Sequence, residues 1–113
     1  MLTENGLNQF TGTEHWYKHL SGYLYTDGVL YVAQKGGAFW LIDKILFTTK
    51  AKKELQEFGV WKLTVNGDSS AVLVCEDGNY NELYREKIDW TDFPIKRIDL
   101  WFENGVLILP SEH

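Results

Sequence analysis

The residues best suited to chemistry are two histidines that stand four positions apart. If His15 and His19 lay on one helix, they could face the same metal ion, and Glu14 could add a carboxylate. The metalloprotease motif, however, needs its glutamate directly after the first histidine, and Glu14 precedes His15. Two imidazoles alone also bind a metal weakly. A small metal-dependent enzyme that uses His15 and His19, with Glu14 or Asp43, is therefore an alternative function.

Three other features could be catalytic or ligand-binding, but a structural role explains each of them better. Cys75 alternates with apolar residues along a predicted strand, which is typical of a small buried side chain rather than a reactive thiolate. Gly36-Gly37 lacks the lysine and the hydroxyl that complete a phosphate-binding loop. Asp43 lies in an apolar helical segment and, if buried, needs a partner such as Tyr31 or a backbone donor. We therefore predict no catalytic residue and no cofactor.

The composition bounds the class of protein. A chain of 113 residues, of which 44% are hydrophobic, is typical of one domain, and we predict a single domain over residues 1–113. The single cysteine, the lack of a leader sequence and the lack of an apolar run of about 18 residues predict a cytoplasmic protein that is not in a membrane. The net charge of −5 arises in residues 51–113 and disfavours direct binding to nucleic acid.

Helical signals dominate the first half of the chain, where we predict two or three helices. A short helical turn would cover residues 15–19 and end at Ser21-Gly22. The next helix would begin after Thr26 or Asp27 as its cap and stop at Gly36-Gly37. The residues that could cap the first turn are Thr11 and Thr13.

The last predicted helix begins at about Ala38 and is apolar on nearly all sides. One buried stripe follows the helical spacing and consists of Ala38, Leu41, Ile42, Ile45 and Leu46. Phe39, Trp40 and Phe47 lie off that stripe, which predicts a central helix enclosed by other elements. The polar residues 50–57 would form the exposed end of the helical half.

From residue 60 onward the apolar period changes from the helical to the strand spacing. Five short strands are predicted, at about 60–65, 71–76, 82–88, 98–102 and 106–109. Turn signals separate them, among them Asn66-Gly67-Asp68, Asp77-Gly78-Asn79 and Asn104-Gly105. Helices first and strands afterwards predict an α+β fold, with two or three N-terminal helices packed on a C-terminal antiparallel sheet of about five strands.

Several of these segments together resemble a family of small proteins from bacterial, phage and plasmid genomes, a domain of unknown function. The segments that carry the resemblance are Phe10–His19, Tyr25–Gly28, Gly37–Asp43, Asp77–Asn79, Thr91–Pro94 and Leu109–His113. The family pattern has an arginine at Lys18, a tyrosine at Phe39 and a tyrosine at His113, where this chain differs. The resemblance implies a mobile-element context in some members, and therefore an interaction with a host.

The preferred function is a non-enzymatic protein-binding module of mobile-element type. Its partner would be another protein, such as a nucleic-acid-binding complex of bacterial defence, which the module would inhibit by steric or acidic-surface occlusion in the manner of an anti-CRISPR protein. The aromatic anchors would be Trp16, Tyr17 and Trp101, and the acidic contacts would be Glu76, Asp77, Glu82 and Glu86. A structural homo-oligomer, for example a homodimer that buries its tryptophans, is a further alternative.

Overall fold

A computed structural model describes residues 15–112, which form two helices packed on a seven-stranded sheet. Within these residues, strands β1 and β2 precede helices α1 and α2. Strands β3 to β7 complete the chain. The bounds are β1 Trp16–Lys18, β2 Leu24–Thr26, α1 Asp27–Gly36, α2 Phe39–Ala51, β3 Phe58–Val65, β4 Ala71–Glu76, β5 Glu82–Ile88, β6 Arg97–Glu103 and β7 Val106–Ile108, with short 3-10 turns at Lys53–Leu55 and Pro110–Glu112.

The α+β class is confirmed, but the sheet has seven strands and is mixed. Its order is β1-β2-β7-β6-β3-β4-β5. The five predicted strands exist and pair antiparallel in the order β7-β6-β3-β4-β5. The two additional strands precede the helices, and β2 pairs parallel with β7, with Leu24 opposite Val106. The prediction of two or three N-terminal helices on an antiparallel sheet of about five strands was therefore wrong in the number of strands, in the position of the helices and in the parallel pair of β2 with β7.

Residues 15–19, predicted as a helical turn, form an extended strand and the start of a turn. Tyr17 lies opposite Tyr25 in the β1–β2 pair, and the two rings stack with their centroids 5.6 Å apart. Gly22, with φ of 95°, allows the chain to reverse between the two strands. Cross-strand aromatic pairing therefore outweighs the local helical signal here. The proposed caps Thr11 and Thr13 lie outside the described residues.

The sequence signals for α1 are confirmed at both ends. The Thr26 hydroxyl accepts a hydrogen bond from the Val29 amide at 3.3 Å, as an N-cap does. Gly37 adopts the left-handed conformation, with φ of 62°, and its amide donates to the Ala33 carbonyl. These two signals fix where the helix begins and ends.

One face of the sheet packs against both helices and forms the core. Alternate residues of β3, β4 and β6 are buried in one cluster with the apolar stripe of α2, as the strand and helix periods predict. The predicted stripe of α2 is correct, because its five residues are all buried. The helix is not enclosed, however, since Phe39 and Phe47 are about half exposed. After α2 ends at Ala51, the mostly exposed segment 52–57 leads to β3 and buries only Leu55.

Neither helix is of the kind that crosses a membrane. Within residues 15–112 no helix is both long and apolar enough to do so.

Candidate functional site

His19 joins the β1–β2 turn to helix α2. Its ring is buried, and Nε2 lies 2.8 Å from Oδ1 of Asp43 in the middle of the helix. Nδ1 lies 2.8 Å from the Ser21 hydroxyl and 3.0 Å from the Ser21 amide nitrogen. The sequence predicted a partner for Asp43 if that residue were buried, among the neighbours of Lys44, Tyr31 or a backbone donor. The Asp43 side chain is instead 58% exposed, and its partner is His19.

The hydrogen bonds determine which ring nitrogen carries the proton. A backbone amide can only donate, so Nδ1 accepts from the Ser21 amide, and Nε2–H donates to the Asp43 carboxylate.

Ser21, His19 and Asp43 thus form a chain of hydrogen bonds with the composition of a hydrolase triad. The usual triad activates an accessible hydroxyl beside a site for the substrate carbonyl. Ser21 is instead buried, and its hydroxyl oxygen accepts from the Tyr23 amide at 3.3 Å inside the turn. The hydrogen bonds of the buried serine therefore attach the β1–β2 hairpin to helix α2, and its hydroxyl is not the accessible one that the usual triad presents.

The two histidines are not brought together as ligands on one helix. His15 is exposed and precedes β1, and both nitrogens of His19 are engaged with Ser21 and Asp43. Within the described residues, no group of three or more His, Cys, Asp or Glu side chains could hold a metal ion. A metal at His19 would have to displace one of these hydrogen bonds.

Three exposed apolar side chains lie next to the His19–Asp43 pair along the chain, since Leu20 follows His19 and two phenylalanines lie one helical turn before and after Asp43. Leu20 at the tip of the β1–β2 turn is 93% exposed, and Phe39 and Phe47 of α2 are 48% and 47% exposed. The Phe47 ring meets the His19 ring edge to face, with centroids 4.9 Å apart. We call Leu20, Phe39, Asp43 and Phe47 the hairpin–helix surface. Exposed apolar side chains that lie close together are typical of sites that bind other proteins.

The sequence prediction named one neighbour of this surface but missed the surface itself. Tyr17 stacks on Tyr25, whose ring centroid lies 6.5 Å from that of His19, so the aromatic row reaches Phe47. The missed residues carried a signal, since Phe39 and Phe47 stand off the buried stripe on the side of Asp43. An off-stripe aromatic beside a charged residue indicates exposure rather than enclosure.

The predicted anchors Trp16 and Trp101 lie on other parts of the sheet. Trp16 is 54% exposed on the edge strand β1. Trp101 is half-buried on β6 and faces away from the helices. There it lines a shallow groove of about 340 Å³ together with Lys62, Glu76 and Tyr80. The structure therefore does not gather the three predicted aromatic anchors into one patch.

The four predicted acidic contacts are mostly paired within the chain. Three of the carboxylates have a basic partner: Glu76 pairs with Lys62, Glu82 with Arg85, and Glu86 with Lys44. Asp77 is held in the β4–β5 turn, where it accepts hydrogen bonds from Asn79 and Asn81. Glu86 lies on the helix side of the sheet, whereas Glu76 lies on the opposite side.

These contacts lower the pKa of three of the four carboxyl groups. The hydrogen bond from Lys44, and then that from Tyr84, lowers the pKa of Glu86. Arg85 lowers the pKa of Glu82 by its hydrogen bond, and the Asn81 side chain does the same for Asp77. All three groups are therefore held in the charged form, although two of those charges are balanced by a neighbouring cation.

Cys75 lies buried on the helix-facing side of β4, as the strand alternation predicted. Burial, and then the nearby Glu76 charge, raises the pKa of its thiol to about 12. A thiol that stays protonated and covered does not serve as a nucleophile.

The comparisons with known proteins place the chain in a family. None of the curated proteins and none of the solved structures matches it. One family model, described as a family of unknown function (DUF6876), matches residues 1–113, in agreement with the resemblance noted in the sequence. Since the match spans the whole chain, the protein belongs to the DUF6876 family.

Proposed function

We propose that this protein is a non-enzymatic protein-binding module that acts in the cytoplasm by docking on another protein. The observation that supports this proposal is the hairpin–helix surface, where Leu20, Phe39 and Phe47 remain exposed around a polar pair. Large apolar side chains in such positions supply most of the free energy of many protein interfaces. The adjacent Ser21 and His19 are used to hold the surface in place, which favours binding over catalysis.

The specific role we propose is inhibition of a bacterial defence complex by steric occlusion. Its support is the resemblance to proteins of phage and plasmid genomes, together with the net charge of −5, which suits a partner that binds nucleic acid. Three of the four candidate acidic contacts already have cationic partners. Apolar docking therefore has more support than mimicry of nucleic acid by free carboxylates.

Affinity capture with paired variants tests this function. The tagged wild-type protein and the variant Leu20→Ser/Phe47→Ser are compared on lysate of a bacterium that carries defence genes, and each captured partner is then purified and bound again. Tyr80→Ser is the matched control, because Tyr80 is 84% exposed but lies on the β4–β5 turn at the other end of the sheet. We expect the partner to remain with Tyr80→Ser and to be lost with the double variant.

The same experiment separates apolar docking from acidic occlusion. Charge reversal of Glu76, Asp77, Glu82 and Glu86 should leave binding intact if the hairpin–helix surface is the contact. Loss of binding in that variant, with the double variant unaffected, would move the contact to the carboxylates. Failure of the wild-type protein to retain a defence protein, or to reduce its activity, would reject the proposed role.

A further inference from the structure

The hairpin–helix surface has a negative charge at its centre. Phe39, Asp43 and Phe47 are four residues apart along α2, so they form one ridge that extends over about 12 Å at 1.5 Å per residue. The Asp43 side chain is 58% exposed, with its Oδ1 bound to His19. The ridge therefore presents one carboxylate midway between two aromatic rings.

Within residues 15–112, no lysine or arginine forms an ion pair with the Asp43 carboxylate. His19 Nε2 contacts Oδ1 of this carboxylate, and the Asp43 side chain nevertheless remains 58% exposed. Of the lysines on the same helix, Lys44 pairs with Glu86, and Lys50 lies over the Tyr23 ring, 5.4 Å from its centroid. The carboxylate is thus available to a cation from outside.

The symmetry of the ridge argues against a second copy of the chain as its occupant. If two copies packed these helices antiparallel about a two-fold axis, Phe39 would meet Phe47 of the other copy. Asp43, which lies at the midpoint, would then face the Asp43 of that copy. Like charges brought together in an interface oppose association, so the ridge disfavours this dimer.

We propose that the hairpin–helix surface binds an amphipathic helix of the partner protein that carries one arginine or lysine, with apolar residues one turn before and one turn after it. The basic group meets Asp43, and the apolar residues pack against Phe39 and Phe47, with Leu20 covering the side of the helix. This inference rests on the proposed function and adds the chemistry of the partner. Ridges formed by residues four apart pack into the matching grooves of another helix, which sets the one-turn spacing.

Helical peptides test the charge requirement directly. The probes are stapled peptides of about 20 residues, long enough to hold a helix, with leucines one turn on each side of a central arginine, glutamine or glutamate. Fluorescence anisotropy gives the Kd of each peptide for the wild-type protein and for Asp43→Asn. The asparagine can still accept the hydrogen bond from His19, so the hairpin stays attached. Asp89→Asn, an exposed position on the β5 side, makes the same change in net charge and is the control.

We expect the arginine peptide to bind the wild-type protein and Asp89→Asn equally, and Asp43→Asn about tenfold more weakly. The glutamine peptide should have the same Kd for the wild-type protein and for Asp43→Asn. The glutamate peptide should bind the wild-type protein more weakly than the arginine and glutamine peptides do. Equal affinity of the wild-type protein for all three peptides, or no binding of the arginine peptide, would overturn the inference. The proposed function would still stand if the captured partner were lost with Leu20→Ser/Phe47→Ser but bound Asp43→Asn normally.

Sedimentation of the purified protein tests the competing occupant. We expect a monomer, and we expect Asp43→Asn to self-associate more strongly than the wild-type protein because it removes the like charge. A wild-type dimer that Leu20→Ser/Phe47→Ser dissociates would assign the surface to a second copy and refute the partner helix.

Discussion

The side chain of Glu112 contacts the beginning of α1, and mutation can measure how much this contact stabilises the protein. The effect of Gly28→Ala on the free energy of unfolding should change sign when Glu112 is removed. The carboxylate of Glu112, from the last 3-10 turn, accepts hydrogen bonds from the Thr26 hydroxyl at 2.7 Å, the Leu109 amide at 2.9 Å and the Gly28 amide at 3.3 Å. It thus binds the helix N-terminus and ties the end of the chain to it. Gly28 leaves the room for this carboxylate, because a Cβ there would lie 2.6 Å from Oε1 of Glu112.

Replacing Gly28 by alanine should therefore destabilise the protein, although alanine is normally the better helix residue. Within a helix the exchange ordinarily stabilises by about 0.5–1 kcal/mol. Here the Glu112 side chain must swing away, and each hydrogen bond to a charged group is worth about 1.5–3 kcal/mol. Loss of the equivalent of two weak ones costs about 3 kcal/mol, so Gly28→Ala should lower the free energy of unfolding by about 2 kcal/mol.

The sign should reverse when the carboxylate is absent. Glu112→Ala alone should cost at least about 3 kcal/mol, since it removes all three hydrogen bonds and leaves the fully buried Thr26 hydroxyl without its acceptor. In that background Gly28→Ala meets no obstacle and should stabilise by about 0.5–1 kcal/mol. The double variant would therefore be more stable than Glu112→Ala.

Urea unfolding, followed by tryptophan fluorescence, measures all four proteins of this cycle. A loss of about 2 kcal/mol also corresponds to a fall of about 10 °C in the melting temperature of a domain of this size. Glu57→Ala removes an exposed glutamate elsewhere and serves as the control. If Gly28→Ala stabilises the wild-type protein, or if the two changes add within about 0.5 kcal/mol, the contact does not have the role assigned to it.

Three further predictions concern the sheet. Burial raises the pKa of the Cys75 thiol to about 12. Iodoacetamide at pH 8 should therefore alkylate Cys75 in urea but not in the folded protein, which mass spectrometry would show. Rapid labelling of the folded protein would contradict the burial of Cys75. Lys44 and Tyr84 lower the pKa of Glu86, so its stabilisation is present above the unfolded value of about 4.5 and is lost as the pH falls through the lower folded value. The urea midpoint of Glu86→Gln should accordingly fall less than that of the wild-type protein between pH 7 and pH 3, and equal slopes would refute this. A Cβ on Gly59 would lie 2.8 Å from the Cys75 sulfur, so Gly59→Ala should lower the free energy of unfolding by about 1–3 kcal/mol. Adding Cys75→Ala should recover part of that loss. If the effects of the two substitutions on the free energy of unfolding simply add, the two residues are not in this contact.

The elements that the sequence predicted correctly are those whose signals lie inside the element. Thr26 caps the beginning of α1 and Gly36-Gly37 ends it, and these residues stand at the helix ends in the sequence. The alternation in β3 and β4 runs over six residues or more, which is long enough to distinguish a strand period. Local signals of this length are sufficient for helix and strand assignment.

The elements that were missed depend on residues far away in the sequence. Strands β1 and β2 have three residues each, too few to show a period. β2 is stabilised by parallel pairing with β7, in which Tyr25 lies opposite Leu107, more than 80 positions later. No pattern around Tyr25 contains that partner, so the mixed sheet could not be deduced from local spacing. The histidine pair failed for the same reason, since β1 replaces the expected helical turn.

The hairpin–helix surface contains one feature that the sequence could predict and one that it could not. The position of Phe39 and Phe47 off the buried stripe could be read from the sequence, whereas the His19–Asp43 bond spans 24 positions and could not. Neither feature is needed to complete the core, because the stripe of α2 is buried without them. Aromatic rings left in water and a charged residue fixed between them both depart from what folding alone would select. The exposed rings and the exposed carboxylate at one site therefore support the docking of a partner proposed here, in addition to the structural role of the His19–Asp43 bond.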